Sequence, residues 1–296
     1  MAAGLRNIQL QRQFAEFSGA GWALLRPFNC LITAVSVGVG ALTSGLTQGL
    51  CADLRQVSIA AASAALITAA GNIHNDLRDI EIDRINRPQR PLPAGRISAR
   101  VAVVEAGVLG LAGWLLSWWL GPQLCGIASG VALGLYLYNT YLKSTVLWGN
   151  LMVSLLAAAA FPYGALAAGG IGRAWLPAAF AFLFHFGREI IKDLEDVAGD
   201  RQRGVTTLAL GLGPSRASAV TCAVFVVLMI ITLVPWALEM YGYPYLITIG
   251  FLDILLLTVI LRMFRSGGRL TDQRLSRTLT VGMILGLLAI ILGESL

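Results

Sequence analysis

An all-α, polytopic membrane protein is the fold class this sequence predicts, and three observations predict it. Of its 296 residues 56% are hydrophobic and only 13% charged, with a mean hydropathy of +0.72. A water-soluble domain of that size needs far more charge on its surface, so lipid is the solvent the composition fits. Apolar stretches recur at the length a bilayer crossing requires, about 20 residues each. The basic residues between those stretches fall on alternate loops.

Nine spans are predicted, near 24–45, 56–83, 101–120, 124–142, 147–168, 175–198, 215–236, 243–264 and 278–295. Small residues recur inside them, as in Ala60-Ala61-Ala62-Ser63-Ala64-Ala65 and Ala157-Ala158-Ala159-Ala160. In lipid no hydrophobic force joins helices, and small residues permit the close backbone contact that does. The whole chain, 1–296, reads as a single transmembrane domain.

The loops set the orientation. Arg84, Arg87, Arg90, Arg96 and Arg100 follow the second span, Arg201, Arg203 and Arg216 the sixth, and Arg262, Arg265, Arg269, Arg274 and Arg277 the eighth. Lys143 follows the fourth, and Arg6 and Arg12 precede the first, whereas the alternate loops offer only Arg55 and Arg173. Nine crossings of a cell membrane with a cytoplasmic N-terminus put every arginine-rich loop on the cytoplasmic side. The net charge of +6 is then explained by anionic headgroups, with no call for nucleic acid. Cys30, Cys51, Cys125 and Cys222 show no metal or disulfide spacing and read as small apolar packers. The first eighteen residues lack the basic-then-apolar order of a cleavable signal peptide.

The chemistry concentrates at the cytoplasmic ends of the second and sixth spans. The second ends Asn72-Ile-His-Asn-Asp76-Leu-Arg-Asp79-Ile-Glu-Ile-Asp83, and the sixth ends Glu189-Ile-Ile-Lys-Asp193-Leu-Glu-Asp196-Val-Ala-Gly-Asp200. In a continuous helix 72, 76, 79 and 83 share one narrow face, as do 189, 193, 196 and 200. Stacked carboxylates repel, and a helix C-terminus disfavours negative charge, so each stripe calls for a cation. All-oxygen donors suit Mg²⁺ better than Zn²⁺. The two segments also align at a constant separation of 117 residues, with Asp, Leu, Asp, Asp and Arg identical between 75–84 and 192–201. An internal repeat commonly places a membrane protein's site between its halves. Two facing stripes would hold two Mg²⁺ ions with a diphosphate between them, and Arg84, Arg87, Arg90 and Arg201 would meet the remaining phosphate oxygens.

Asn75-Asp-Leu-Arg-Asp-Ile-Glu-Ile-Asp-Arg-Ile-Asn-Arg-Pro-Gln-Arg-Pro-Leu-Pro-Ala-Gly-Arg-Ile-Ser98 resembles the first signature of the UbiA superfamily of intramembrane prenyltransferases. Gly187-Arg-Glu-Ile-Ile-Lys-Asp-Leu-Glu-Asp-Val-Ala-Gly-Asp200 resembles the second, in the form typical of the archaeal-lipid branch. The resemblance implies a UbiA-like helical bundle and Mg²⁺-dependent transfer of a geranylgeranyl group. The donor would be geranylgeranyl diphosphate and the acceptor the hydroxyl of geranylgeranylglyceryl phosphate or a related lipid. Aromatic-acceptor members such as those using 4-hydroxybenzoate share both motifs, so the branch rests on the second signature alone. The metal candidates are Asn72, Asp76, Asp79, Asp83, Glu189, Asp193, Asp196 and Asp200, and of these Asp76, Asp79, Asp193 and Asp196 carry catalysis. The resemblance adds Arg26 and Asn29 of Arg-Pro-Phe-Asn, with Tyr138 and Lys143 of Tyr-Asn-Thr-Tyr-Leu-Lys, as substrate-facing groups, Lys143 being counted also as catalytic.

The isoprenoid tail would lie between helices, open to membrane lipid, and the proline-rich loop 84–98 would close over the phosphates and exclude water. His74, on the far side of the helix from the stripe, reads as a packing residue. His185 reads as packing with a minor general-base alternative, and Asp253 as a neutral or hydrogen-bonded core acid. The seven tryptophans read as interfacial anchors. A transporter is the rival class, but its acids belong nearer mid-membrane on broken helices. A CDP-alcohol phosphotransferase would need an Asp-Gly-x-x-Ala-Arg motif, which this sequence lacks.

Overall fold

The computed structural model describes residues 19–45, 54–202, 206–268, 270 and 275–294. Arg6, Arg12, Cys51, Arg203, Arg269 and Arg274 lie outside them. The described residues form helices and turns with no strand. In order these are α1 (Gly19–Leu25), α2 (Pro27–Leu42), α3 (Leu54–Arg78), α4 (Ile80–Asn86), α5 (Ala99–Leu120), α6 (Pro122–Leu137) and a π-helical turn, Tyr138–Leu142. Then follow α7 (Trp148–Ala158), α8 (Ala160–Ala167), α9 (Trp175–Glu195), α10 (Val197–Gln202), α11 (Leu208–Leu212), α12 (Pro214–Ala237), α13 (Tyr243–Arg265) and α14 (Leu275–Glu294).

Local chemistry marks the boundaries. Ser98 caps α5, its hydroxyl accepting from the Val101 amide at 3.3 Å. Gly121 and Gly213 take positive φ immediately before Pro122 and Pro214, which open α6 and α12 where a missing N–H costs nothing. Pro27 also explains the 45° bend between α1 and α2. A residue before proline is pushed out of the α region, and Arg26 sits at φ 51, an uncommon conformation for a side chain of its kind.

Every predicted span contains helix, but not every one has the length and composition of a crossing helix. Among the described residues six helices, or seven if the bent α1–α2 pair is one span, are long and apolar enough to cross a bilayer. The α6 helix has only 16 residues before the π-helical turn replaces it. The α9 helix carries Arg188, Glu189, Lys192, Asp193 and Glu195 in its last two turns. Trp22, Trp118, Trp119, Trp148, Trp175 and Trp236 are exposed, as membrane anchors would be. Cys30, Cys125 and Cys222 are free thiols.

The chain divides into two compact units, residues 1–34 with 59–139 and residues 35–58 with 140–296. In the first, α3 is fastened to α5 where Gly113 leaves no room for a Cβ (Ser63 carbonyl at 2.9 Å) and the Ser63 hydroxyl donates to the Gly113 carbonyl at 2.7 Å. The Asn72 amide donates to the Leu25 carbonyl at 3.0 Å, and Asn139 of the π-helical turn donates to the Gly71 carbonyl at 3.2 Å.

In the second unit α9 lies in the core. Its Phe184, Ile190, Ile191 and Leu194 are buried, and Gly187 is pressed against the Phe225 ring of α12. Gly282 of α14 meets Phe184 in the same way, at 2.9 Å from a would-be Cβ. Gly40 and Gly164 make reciprocal backbone contacts between α2 and α8, against the carbonyls of Phe161 and Val37. At the far end, the Glu294 carboxylate stands at the C-terminus of α14, where the helix field disfavours it. Arg173 at 2.8 Å and the Tyr241 hydroxyl at 2.6 Å compensate it. Burial first, and the Glu294 carboxylate second, push the Tyr241 phenol up, which keeps it a proton donor.

Candidate active site

The two acidic segments are not continuous helices, and this corrects the unbroken stripes drawn from periodicity. In the first, α3 stops at Arg78 and α4 starts at Ile80, with Asp79 between them at φ −95, ψ 3. In the second, α9 stops at Glu195 and α10 starts at Val197, with Asp196 between them at φ −98, ψ 4. The hydrogen bonds match as well. The Asp79 amide donates to the Asn75 carbonyl and the Asp83 amide to Asp79, at 3.1 and 2.8 Å. The Asp196 amide donates to Lys192 and the Asp200 amide to Asp196, at 3.0 and 2.9 Å. The repeat therefore extends from residue identity to backbone conformation. Asp suits such a position because it favours turns and caps over helix interiors, and in both copies the helix is interrupted between an i→i−4 bond made by the bend residue and one accepted by it.

Around the first segment the partners are arginines distant in sequence. Asp76 and Asp83 are buried, and one nitrogen, Arg90 Nη1, reaches both, at 3.2 Å from Asp76 Oδ1 and 2.5 Å from Asp83 Oδ2. Arg26, in its left-handed conformation, makes a second ion pair to Asp76 Oδ1. The Asn75 amide donates to Asn139 Oδ1 at 2.9 Å. Arg84 is exposed and pairs with Glu81 at 2.7 Å, and Arg87 is exposed. The loop 87–98 is anchored through Leu92 and Ile97, which pack with Leu24 and Ile73.

Around the second segment the partners are mostly local. Glu189, buried, accepts from Lys192 at 2.8 and 2.9 Å and from Arg188 at 3.2 Å. Asp193 accepts from the neutral amide of Asn150 at 2.8 Å. Asp200 is buried and Asp196 exposed. Glu195 turns away from the motif and accepts from the Ser276 amide at the start of α14, at 3.0 Å. Asn29, Lys143 and Arg201 are exposed, and Tyr138 and Asn72 are partly buried. His74 stacks on Tyr136 with centroids 5.5 Å apart, a packing contact. Asp253 keeps a buried Oδ1 with no hydrogen-bond partner among the described residues.

Among the described residues no three His, Cys, Asp or Glu side chains gather closely enough to hold a metal ion by themselves. Mg²⁺ is ordinarily held by one or two carboxylates, with water and substrate phosphates completing the octahedron. Asp76 and Asp83 converge on one cationic nitrogen. Asn75, Asn139, Asn150 and Arg188 carry no role in the sequence motifs. Polar side chains inside apolar runs were the available signal.

The sequence profile described as the UbiA prenyltransferase family matches residues 31–292. Digeranylgeranylglyceryl phosphate synthase of Methanopyrus kandleri is 36% identical over 271 residues, 90% of this chain and 96% of that protein. A solved structure described as digeranylgeranylglyceryl phosphate synthase in membranes matches with a TM-score of 0.76 and 30% identity, over 94% of this chain and 99% of that one. A UbiA homologue from Archaeoglobus fulgidus, solved with GPP and Mg²⁺, matches with a TM-score of 0.68 over 93% of this chain and 98% of that one. At 21% identity it speaks for the fold alone. With the profile spanning most of the chain and more than a third of the aligned residues identical to a relative matched over 96% of its length, the chain belongs to the UbiA prenyltransferase family.

Proposed function

We propose that the chain transfers a geranylgeranyl group from geranylgeranyl diphosphate to the hydroxyl of geranylgeranylglyceryl phosphate, forming an ether lipid. The observation that carries this reading is 36% identity over nearly the full length of a relative named for that synthase. The second motif, with its Arg188-Glu189-Ile-Ile-Lys192 run, supports the same branch.

The C–O bond between the prenyl C1 and diphosphate breaks to leave an allylic cation, the acceptor oxygen bonds to C1, and the hydroxyl proton is released. The barrier lies in the charge that develops on diphosphate. Two Mg²⁺ ions, when bound, would supply Lewis-acid stabilisation of that leaving group. Asp76, Asp79 and Asp83 with Asn72 are the proposed holders on the first motif, and Glu189, Asp193, Asp196 and Asp200 on the second. Arg84, Arg87, Arg90, Arg201 and Lys143 would meet phosphate oxygens, and Arg26, Asn29 and Tyr138 would face substrate. The buried position of Asp76 and Asp83 strengthens any cation interaction they make. Nine crossings with both motifs cytoplasmic fit the arginine-bearing loops. Cysteines placed at Arg90 and Arg55 should then react with a membrane-impermeant reagent from opposite sides, and labelling from one side would refute that topology.

The deciding assay offers labelled geranylgeranyl diphosphate with geranylgeranylglyceryl phosphate and 4-hydroxybenzoate in competition, read by mass spectrometry. The expected product is the diprenylated glyceryl phosphate. Predominant prenylation of 4-hydroxybenzoate would move the chain to quinone chemistry and defeat this reading.

A further inference from the structure

In the first motif the protein supplies its own cation. Two buried carboxylates seven residues apart, Asp76 and Asp83, converge on a single nitrogen, Arg90 Nη1. A divalent ion bridging this pair would need that same position, because both oxygens are already within hydrogen-bond distance of it. The arginine is presented by a formed loop. Leu92 and Ile97 are buried on the first unit, Arg96 donates to the Gln89 carbonyl at 2.5 Å, and Pro88, Pro91 and Pro93 restrict the backbone. Arg26 makes its own ion pair with Asp76, separate from that of Arg90.

We propose that Arg90 is an exchangeable occupant of the first-motif cation position. An ion entering between Asp76 and Asp83 expels its guanidinium, which then pairs with phosphate oxygens arriving with the substrate. This inference rests on the reading of the first motif as a cation site. A tethered group competes at an effective concentration in the millimolar range, so Arg90 weakens binding of the ion alone. A diphosphate offers the expelled guanidinium a charge-assisted partner of equal quality and removes that handicap. Ion and prenyl diphosphate therefore bind cooperatively, and the coupling is reciprocal. The protein is spared a bare pair of buried carboxylates when empty, and is kept from holding the ion tightly without substrate.

The test is Mn²⁺ binding to the full chain in detergent without any diphosphate, followed by the loss of the free-ion electron paramagnetic resonance signal. Wild type is compared with Arg90→Gln and with Arg87→Gln, which removes an exposed positive charge three residues away. The expected result is that Arg90→Gln binds Mn²⁺ on the order of tenfold more tightly than wild type, a typical coupling, with Arg87→Gln close to wild type. Equal affinities for the two variants, or weaker binding by Arg90→Gln, would overturn the exchange while leaving the cation site standing. If none of the three binds Mn²⁺ saturably, the cation site falls and the exchange with it. Should Arg90→Gln not fold, hydrogen exchange on wild type decides. Mn²⁺ alone should speed exchange in 89–96 as Arg90 leaves its carboxylates. Slower or unchanged exchange there would overturn the proposal.

Discussion

The two acidic motifs share a backbone and differ in their electrostatic company. Asp79 and Asp196 occupy the same bend, with φ and ψ within a few degrees, yet the first motif borrows its cations from afar and the second from its own helix. Asp76 is held by Arg26, 50 residues away, and by Arg90, whereas Glu189 is held by Lys192 and Arg188 of the same helix. The equivalent aspartates Asp76 and Asp193 are paired with guanidinium in one copy and with a neutral amide in the other. The difference teaches that a repeat preserves the positions of the carboxylates more strictly than it preserves what neutralises them. Backbone geometry places the ligands, and the surrounding charges are free to specialise.

Because the bends are equivalent, Asp79→Asn and Asp196→Asn should be equally severe, each lowering turnover by at least about 10²-fold through lost leaving-group stabilisation. Activity surviving in one copy alone would break the equivalence. The difference in company predicts unequal stability effects. Arg26→Met leaves Asp76 with one cation fewer and should lower unfolding free energy by about 1–3 kcal/mol in detergent. Asn150→Ala removes a neutral donor from Asp193 and should cost about 1 kcal/mol. Thermal unfolding in EDTA checks both, and the reverse order would show that Asp76 does not depend on Arg26. The smallest effect concerns metal demand. Glu189→Gln should raise the Mg²⁺ concentration for half-activity a few-fold, about 0.7 kcal/mol of lost attraction at a partly screened site. Glu195→Gln, at a carboxylate that accepts from the Ser276 amide at the start of α14, should leave it unchanged. Equal responses would mean that Glu189 serves only Lys192 and Arg188.

Much of this was legible in the chain itself. Each apolar run contains helix because runs of that length have few other ways to satisfy their backbone in lipid, and Asp79 and Asp196, 117 residues apart, share φ and ψ within a few degrees. The bends at Asp79 and Asp196 were not legible. No proline or glycine stands at 78–80 or 195–197 to mark a break, so the stripe reads as continuous. Nor were the partners of Asp76 legible, since sequence shows Arg26 at the start of the first span and Arg90 in a loop and says nothing of which carboxylate each will reach. Asn139 and Asn150 pass for ordinary polar residues near span ends until their hydrogen bonds are seen. Crossing number was only partly legible, because α6 is short and the end of α9 is charged.

The central claim is that both bends serve one reaction, and a double-mutant cycle tests it most directly. Single-turnover rates with labelled geranylgeranyl diphosphate are measured for wild type, Asp79→Asn, Asp196→Asn and the double variant. Groups that act as a unit lose their effect together, so the double variant should be little slower than either single one. Losses that multiply, to about 10⁴-fold or beyond if each single loss is about 10²-fold, would mean that the two motifs act independently and would contradict the account.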